Sequence, residues 1–249
     1  MQMLRSTKDM QGYVLGAQDG EIGRCGDFLF DDRDWTVRYI VADTRKWLPG
    51  RKVLISPISI GEADGTTRTL RVGLTKEQIT GSPPLEADAP VSRQYEIAFN
   101  QYYDWAHYWS GPAVWGAHPY PRLLNRADAD RRIPDRSDDD PNLRSTKEVM
   151  GYHIQASDDD IGHIEDFIVD QEAWVIRYLV IDTRNWLPAS KKVLVAPNWV
   201  ELVDWKRRKV MVNLTSSQIK ESPEFDPSAP VNRSYETSLY DFYGRPYYW

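Results

Sequence analysis

Hydrophobic and polar positions alternate over short spans through the first hundred residues, the period of half-buried strands. Strands are predicted over 13–17 and 22–31, and the polar triplet Asp32-Arg33-Asp34 turns the second into a partner over 35–43. A further strand over 52–56 halts at Pro57, and 58–63 and 68–74 flank an Asp64-Gly65 turn. Thr75 then has the chemistry of a helix N-cap ahead of a short turn through Ile79. Tyr95, Phe99, Tyr102 and Tyr103 fall on one face of a short helix.

This pattern runs twice. Leu4-Arg5-Ser6-Thr7-Lys8 returns as Leu143 to Lys147, and RYIVADTRKWLP at 38–49 returns as RYLVIDTRNWLP at 177–188. The offset is 139 residues before the Trp-Leu-Pro turn and 140 after it, where the second copy carries one extra residue. Arg93, Tyr95 and Glu96 come back as Arg233, Tyr235 and Glu236, and Thr215 and Ile219 repeat the cap and turn. Tyr235, Leu239, Phe242 and Tyr243 repeat the aromatic helix face. In the second copy the last hairpin is predicted over 199–205 and 210–214, with the basic run Lys206 to Lys209 as a solvated tip. Two copies are too few for a solenoid, so two similar domains are expected. The boundaries are 1–104 and 143–249, with 105–142 an aromatic and then charged linker that has no counterpart after the second copy.

The strand over 35–43 carries apolar residues on both sides, Val37, Tyr39 and Val41 against Ile40 and Ala42. The second copy repeats this with Ile176, Tyr178 and Val180 against Leu179 and Ile181. An exposed antiparallel sheet would show one polar face, so the outer face needs a cover. The aromatic helices and the Trp-rich stretch 105–124 are the candidates. Gly23 and Gly162, at matching strand entries, are expected at a bend or a positive φ.

Composition narrows the function. A hydrophobic share of 41% allows a core, and a net charge of −6 disfavours general nucleic-acid binding. Cys25 is the single cysteine, which excludes an intramolecular disulfide and a cysteine-based zinc site. No apolar run reaches the roughly 20 residues of a membrane helix, and the first residues lack the apolar stretch of a secretory signal. The expectation is a bacterial cytoplasmic protein, at most peripheral to the inner membrane and not inserted in it.

The spans GYVLGAQDGEIGRCGDFLFDD and WTVRYIVADTRKWLPGRKVLISP, with their second-copy equivalents, resemble the PRC-barrel family. That family includes the cytoplasmic barrel of the photosynthetic reaction-centre H subunit and the C-terminal barrel of the ribosome maturation factor RimM. The resemblance covers 4–104 and 143–249, and implies a mainly β protein with two PRC-type barrels of about six strands each and short C-terminal helices. It also implies an adaptor or interaction module. The H subunit has a membrane helix and RimM a separate N-terminal domain; neither feature is found here, so neither role transfers directly.

Candidate chemistry is sparse. Asp43-Thr44-Arg45 and Asp182-Thr183-Arg184 pair a carboxylate with a cation, but no nucleophile or histidine is patterned beside them, and a strand-end ion pair explains them. The acidic run at 157–160 lacks calcium-loop spacing, and the four histidines are scattered. No catalytic, cofactor or metal residue is therefore assigned. Trp47 and Trp186, each in a turn, and Trp105, Trp109 and Trp115 are the candidate interaction residues. The expected function is a non-catalytic interaction or scaffold protein, stress- or assembly-related, with an unidentified protein partner and homodimerisation as one arrangement. A membrane-peripheral helper of a photosynthetic or electron-transfer complex, and a ribosome or RNA maturation factor, stand as the alternatives.

Overall fold

The computed structural model describes residues 4–44, 47–122, 140–183 and 191–249. Its strands are β1 (Leu4–Ser6), β2 (Val14–Ala17), β3 (Gly20–Asp31), β4 (Thr36–Asp43), β5 (Val53–Ile55), β6 (Ile60–Asp64), β7 (Thr69–Val72), β8 (Leu143–Ser145), β9 (His153–Gln155), β10 (Asp160–Asp170), β11 (Val175–Asp182), β12 (Lys192–Val195), β13 (Val200–Asp204) and β14 (Lys209–Val212). The helices are α1 (Thr7–Met10), α2 (Lys76–Gly81), α3 (Arg93–Tyr103), α4 (Thr146–Val149), α5 (Ser216–Glu221) and α6 (Arg233–Tyr243). The protein is mainly β with short helices, as the pattern predicted.

The chain divides into two compact units, one built mostly from each copy. The first-copy unit takes Asp9–Ser145 and Gln171–Val175; the second-copy unit takes the segment ending at Lys8, Thr146–Asp170 and Ile176–Trp249. These limits differ from the repeat limits of 1–104 and 143–249. Within the first-copy unit the strand order is β6-β7-β2-β3-β4-β5, with β2 and β7 parallel and the other pairs antiparallel. The second-copy unit repeats the order as β13-β14-β9-β10-β11-β12, again with one parallel pair, β14 to β9. A seventh strand joins each sheet. β8 lies on β3, with Leu29 opposite Ser145, and β1 lies on β10, with Ser6 opposite Ile168. The two Leu-Arg-Ser strands have therefore exchanged places between copies, each completing the unit of the other.

Side chains fix the exchange. In the second-copy unit the Asp166 carboxylate accepts from the Ser6 hydroxyl, from Thr7 Oγ1 at 2.7 Å and from the Lys8 amide at 3.1 Å. Lys8 also pairs with Glu165 at 3.3 Å. In the first-copy unit Ser145 Oγ donates to Asp27, and Arg144 pairs with Asp32 at 2.8 Å.

Gly23 and Gly162 hold φ of 139° and 144°, and a Cβ at either would run into the carbonyl oxygen of Asp43 or Asp182. The expected bend is thus a backbone close approach that excludes a side chain. Trp35 and Trp174 were expected to open their strands, but both sit in the left-handed region at the hairpin turn, with φ of 58° and 55°. Stacking of Trp35 on Phe30, with centroids 5.3 Å apart, helps hold that conformation. The strand predicted from 58 begins at Ile60, because Pro57–Ser59 forms a 3-10 turn with Pro at its start and Ser56 as its cap. Pro197–Trp199 forms the same turn in the second copy, with Ala196 in the cap place and no side-chain cap. Thr75 and Thr215 both close capping boxes, with Gln78 and Gln218.

Candidate functional site

The cover over strand β4 is an arginine and aromatic cluster, all within the first-copy unit. Tyr39 points to α3, where its ring meets Phe99 edge-on at 5.5 Å and its hydroxyl donates to Glu96 at 3.0 Å. Glu96 also pairs with Arg93 at 2.7 Å and accepts from the Tyr108 hydroxyl at 3.1 Å. Arg38, in the middle of β4, is buried; it pairs with Asp34 at 2.7 Å and Asp31 at 3.5 Å. Its guanidinium lies over the Tyr108 ring at 3.8 Å and the Trp115 ring at 5.1 Å, and it donates to the Val114 carbonyl. Arg93 lies over Trp109 at 4.0 Å.

Burial sets the electrostatics of this cluster. It pushes the Glu96 carboxyl up to about 7, even though Arg93 and the two phenols pull it down. The Tyr39 and Tyr108 phenols are raised well above their ordinary value, first by burial and then by the Glu96 charge. The guanidinium termini, the acid and the phenols pair with one another, while Arg38 Nε and Arg93 Nε are buried without a hydrogen-bond partner among the described residues, so the cluster reads as a structural lock.

The second-copy unit builds the same lock from its own residues. Tyr178 and Tyr248 donate to Glu236 at 2.8 and 2.6 Å, Arg177 lies over Tyr248 at 4.3 Å, and Arg233 lies over Trp249 at 4.0 Å. Tyr248 and Trp249 thus stand where Tyr108 and Trp109 stand, at the same offset of 140. The expectation that 105–142 lacks a counterpart is corrected accordingly: residues 105–109 match 245–249. Asp104 and Gly244, both left-handed helix caps, mark the common start.

A groove of about 930 Å³ opens elsewhere in the first-copy unit. Its walls come from the end of β2, the 3-10 turn and start of β6, the end of β7, and the aromatic residues Tyr102, Tyr103 and Trp105. Trp105 stacks on Tyr103 with centroids 4.5 Å apart, and Tyr102 is 44% exposed at the rim. The lining residues include neither a histidine nor a carboxylate, and the Ser59 hydroxyl is spent on the Ser56 carbonyl at 2.9 Å.

The candidate tryptophans do not share one surface. Trp105 is a groove wall; Trp109 and Trp115 belong to the arginine lock, where the Trp115 indole N–H donates to the Ala173 carbonyl at 2.7 Å. Trp47 is half-buried in its turn, with its amide on the Thr44 carbonyl at 2.7 Å. Trp186 lies outside the described residues, as do Arg45 and Arg184 of the two Asp-Thr-Arg motifs. In the acidic run at 157–160, Asp158 caps the Ser216 amide at 2.7 Å, and the described residues hold no group of acids, histidines or cysteine suited to a metal. Sequence reasoning passed over Arg38, Arg177 and the two Arg-x-x-Glu pairs. The usable signal was an arginine kept in both copies of an otherwise apolar strand.

Residues 146–219 match the family model described as PRC-barrel domain. No curated protein matches the chain. Among the described residues, no helix is long and apolar enough to cross a membrane.

Proposed function

We propose that this chain is a non-catalytic interaction or scaffold protein built from two PRC-type barrels, the second matched by the family model and the first its internal repeat. The observation that carries this reading is the division of labour among its side chains. The buried Arg38, Arg93, Glu96 and Glu236 are engaged in two arginine and aromatic locks. The groove is lined instead by aromatic rings, glycines and aliphatic side chains, with Arg71 among a few polar residues, the composition of a docking surface. The membrane-helper and ribosomal readings have no such observation in their favour.

Affinity capture with the full chain in extract of its native cell tests the proposal. A discrete set of proteins, retained at physiological salt in amounts comparable to the bait, is expected. Turnover of a small molecule by the purified chain, with no protein retained, would overturn it.

A further inference from the structure

The two copies differ at the groove, and the difference identifies an occupant. Ser59 and Trp199 hold the same backbone place. Their amides donate to the carbonyls of Ser56 and Ala196, each at 2.9 Å, and their carbonyls accept from Gly73 at 2.7 Å and Asn213 at 2.9 Å. In the second-copy unit the Trp199 indole is buried against Tyr243 and Tyr240, with centroids 4.8 and 5.3 Å away. In the first-copy unit the small Ser59 leaves open the groove beside Tyr103, the equivalent of Tyr243. Trp105 supplies one aromatic wall, while its counterpart Arg245 turns away to the Asn213 carbonyl at 2.8 Å. Trp199 thus covers the helix tyrosine in one barrel, whereas in the other Trp105 stacks on Tyr103 and the groove stays open on the Ser59 side of that pair.

A second substitution adds charge. Arg71, exposed on β7, lines the groove, and its counterpart in the second copy is Met211. Asp64, the acid that senses the Arg71 charge, keeps its carboxylate on the amides of Thr66 and Thr67 at 2.9 and 3.1 Å. The open copy therefore offers an aromatic-walled slot with a solvent-facing guanidinium at its edge.

We infer that this groove docks a partner-protein segment that lays a planar aromatic side chain beside Ser59, against the stacked Tyr103–Trp105 pair, and places a neighbouring carboxylate on Arg71. The inference rests on the reading of the chain as an interaction module and names the chemistry of its partner. The aromatic side chain gains burial and ring contacts, and the carboxylate gains a charge-assisted hydrogen bond that sets its orientation.

The test uses the full chain and two substitutions borrowed from its closed copy, Ser59→Trp and Arg71→Met. The probe is the synthetic peptide acetyl-Gly-Glu-Trp-Asp-Gly-amide, with Ala-for-Trp and Lys-for-acid versions as controls. Binding is followed by line shifts in the heteronuclear NMR spectrum, which also reports folding of each variant. The wild-type chain should bind the probe, with shifts at residues 58–61, 71–74 and 102–105. Arg71→Met should weaken binding about tenfold, and both control peptides should lose at least as much. Ser59→Trp, if its spectrum stays native-like, should abolish binding. Arg71→Met is an exposed substitution and keeps the test sharp should Ser59→Trp misfold. Equal binding of the Ala-for-Trp peptide, unchanged affinity in Arg71→Met, or no probe shifts at millimolar peptide would overturn the inference. A partner captured from cells equally well by wild type and by Arg71→Met would leave the scaffold reading standing and remove the groove from it.

Discussion

Glu96 makes stability depend on pH in a direction opposite to that of most carboxylates. It is fully buried, faces Arg93 at 2.7 Å, and accepts from two phenols at 3.0 and 3.1 Å. Burial still wins, and its carboxyl rises from 4.5 to about 7. The folded chain therefore holds this proton more tightly than the unfolded chain does. Stability from this group is fully present below about pH 4.5, and is lost as pH rises through about 7. The rise corresponds to about 3 kcal/mol across that window. Glu96→Gln keeps the shape and an acceptor for the phenols but cannot ionise. Urea unfolding of both proteins at steps from about pH 5 to 8.5 gives the difference between their stability profiles, in which titrations elsewhere cancel. The gap should shift in favour of the glutamine variant by about 3 kcal/mol as pH rises. Profiles that stay parallel would refute the reasoning and show Glu96 ionised throughout, held by Arg93.

Other expectations follow from the same contacts. Gly23→Val and Gly162→Val should each cost more than about 2 kcal/mol, because they combine a forbidden φ with a clash against a strand carbonyl; an unchanged melting temperature in either would contradict the close approach. Asp166→Ala removes the acceptor of Ser6, Thr7 and Lys8, and should cost about 2–4 kcal/mol. Hydrogen exchange at residues 4–8 should accelerate in that variant more than exchange at 143–145. Trp115→Ala uncovers Arg38 and should cost about 3–5 kcal/mol by thermal unfolding, while Trp249→Ala, at a half-exposed ring, should cost less.

Much of the fold could be read from local pattern. The hairpins about 32–34 and 206–208, the two capping boxes and the aromatic helix faces each depend on residues a few positions apart. The exchange of β1 and β8 could not be read that way. Both copies spell Leu-Arg-Ser-Thr-Lys, and both receiving strands offer an Asp-Phe pair, so no local feature states which partner is taken. The burial of Arg38 was hidden for another reason. A polarity pattern scores arginine as outward, whereas here Asp34, Tyr108 and Trp115, from separate segments, enclose it. Of the candidate tryptophans, Trp105 reaches the groove, while Ser59 and Arg71 gave no signal until the two copies could be laid residue against residue.

If this chain works by holding a protein partner, a hydrogen-exchange footprint of the complex purified from its native cell will show where the partner sits. Amide exchange should slow at residues 58–61 and 71–74 relative to the chain alone. Failure to recover any complex at physiological salt, or a complex whose footprint leaves every described segment unchanged, would contradict the scaffold reading.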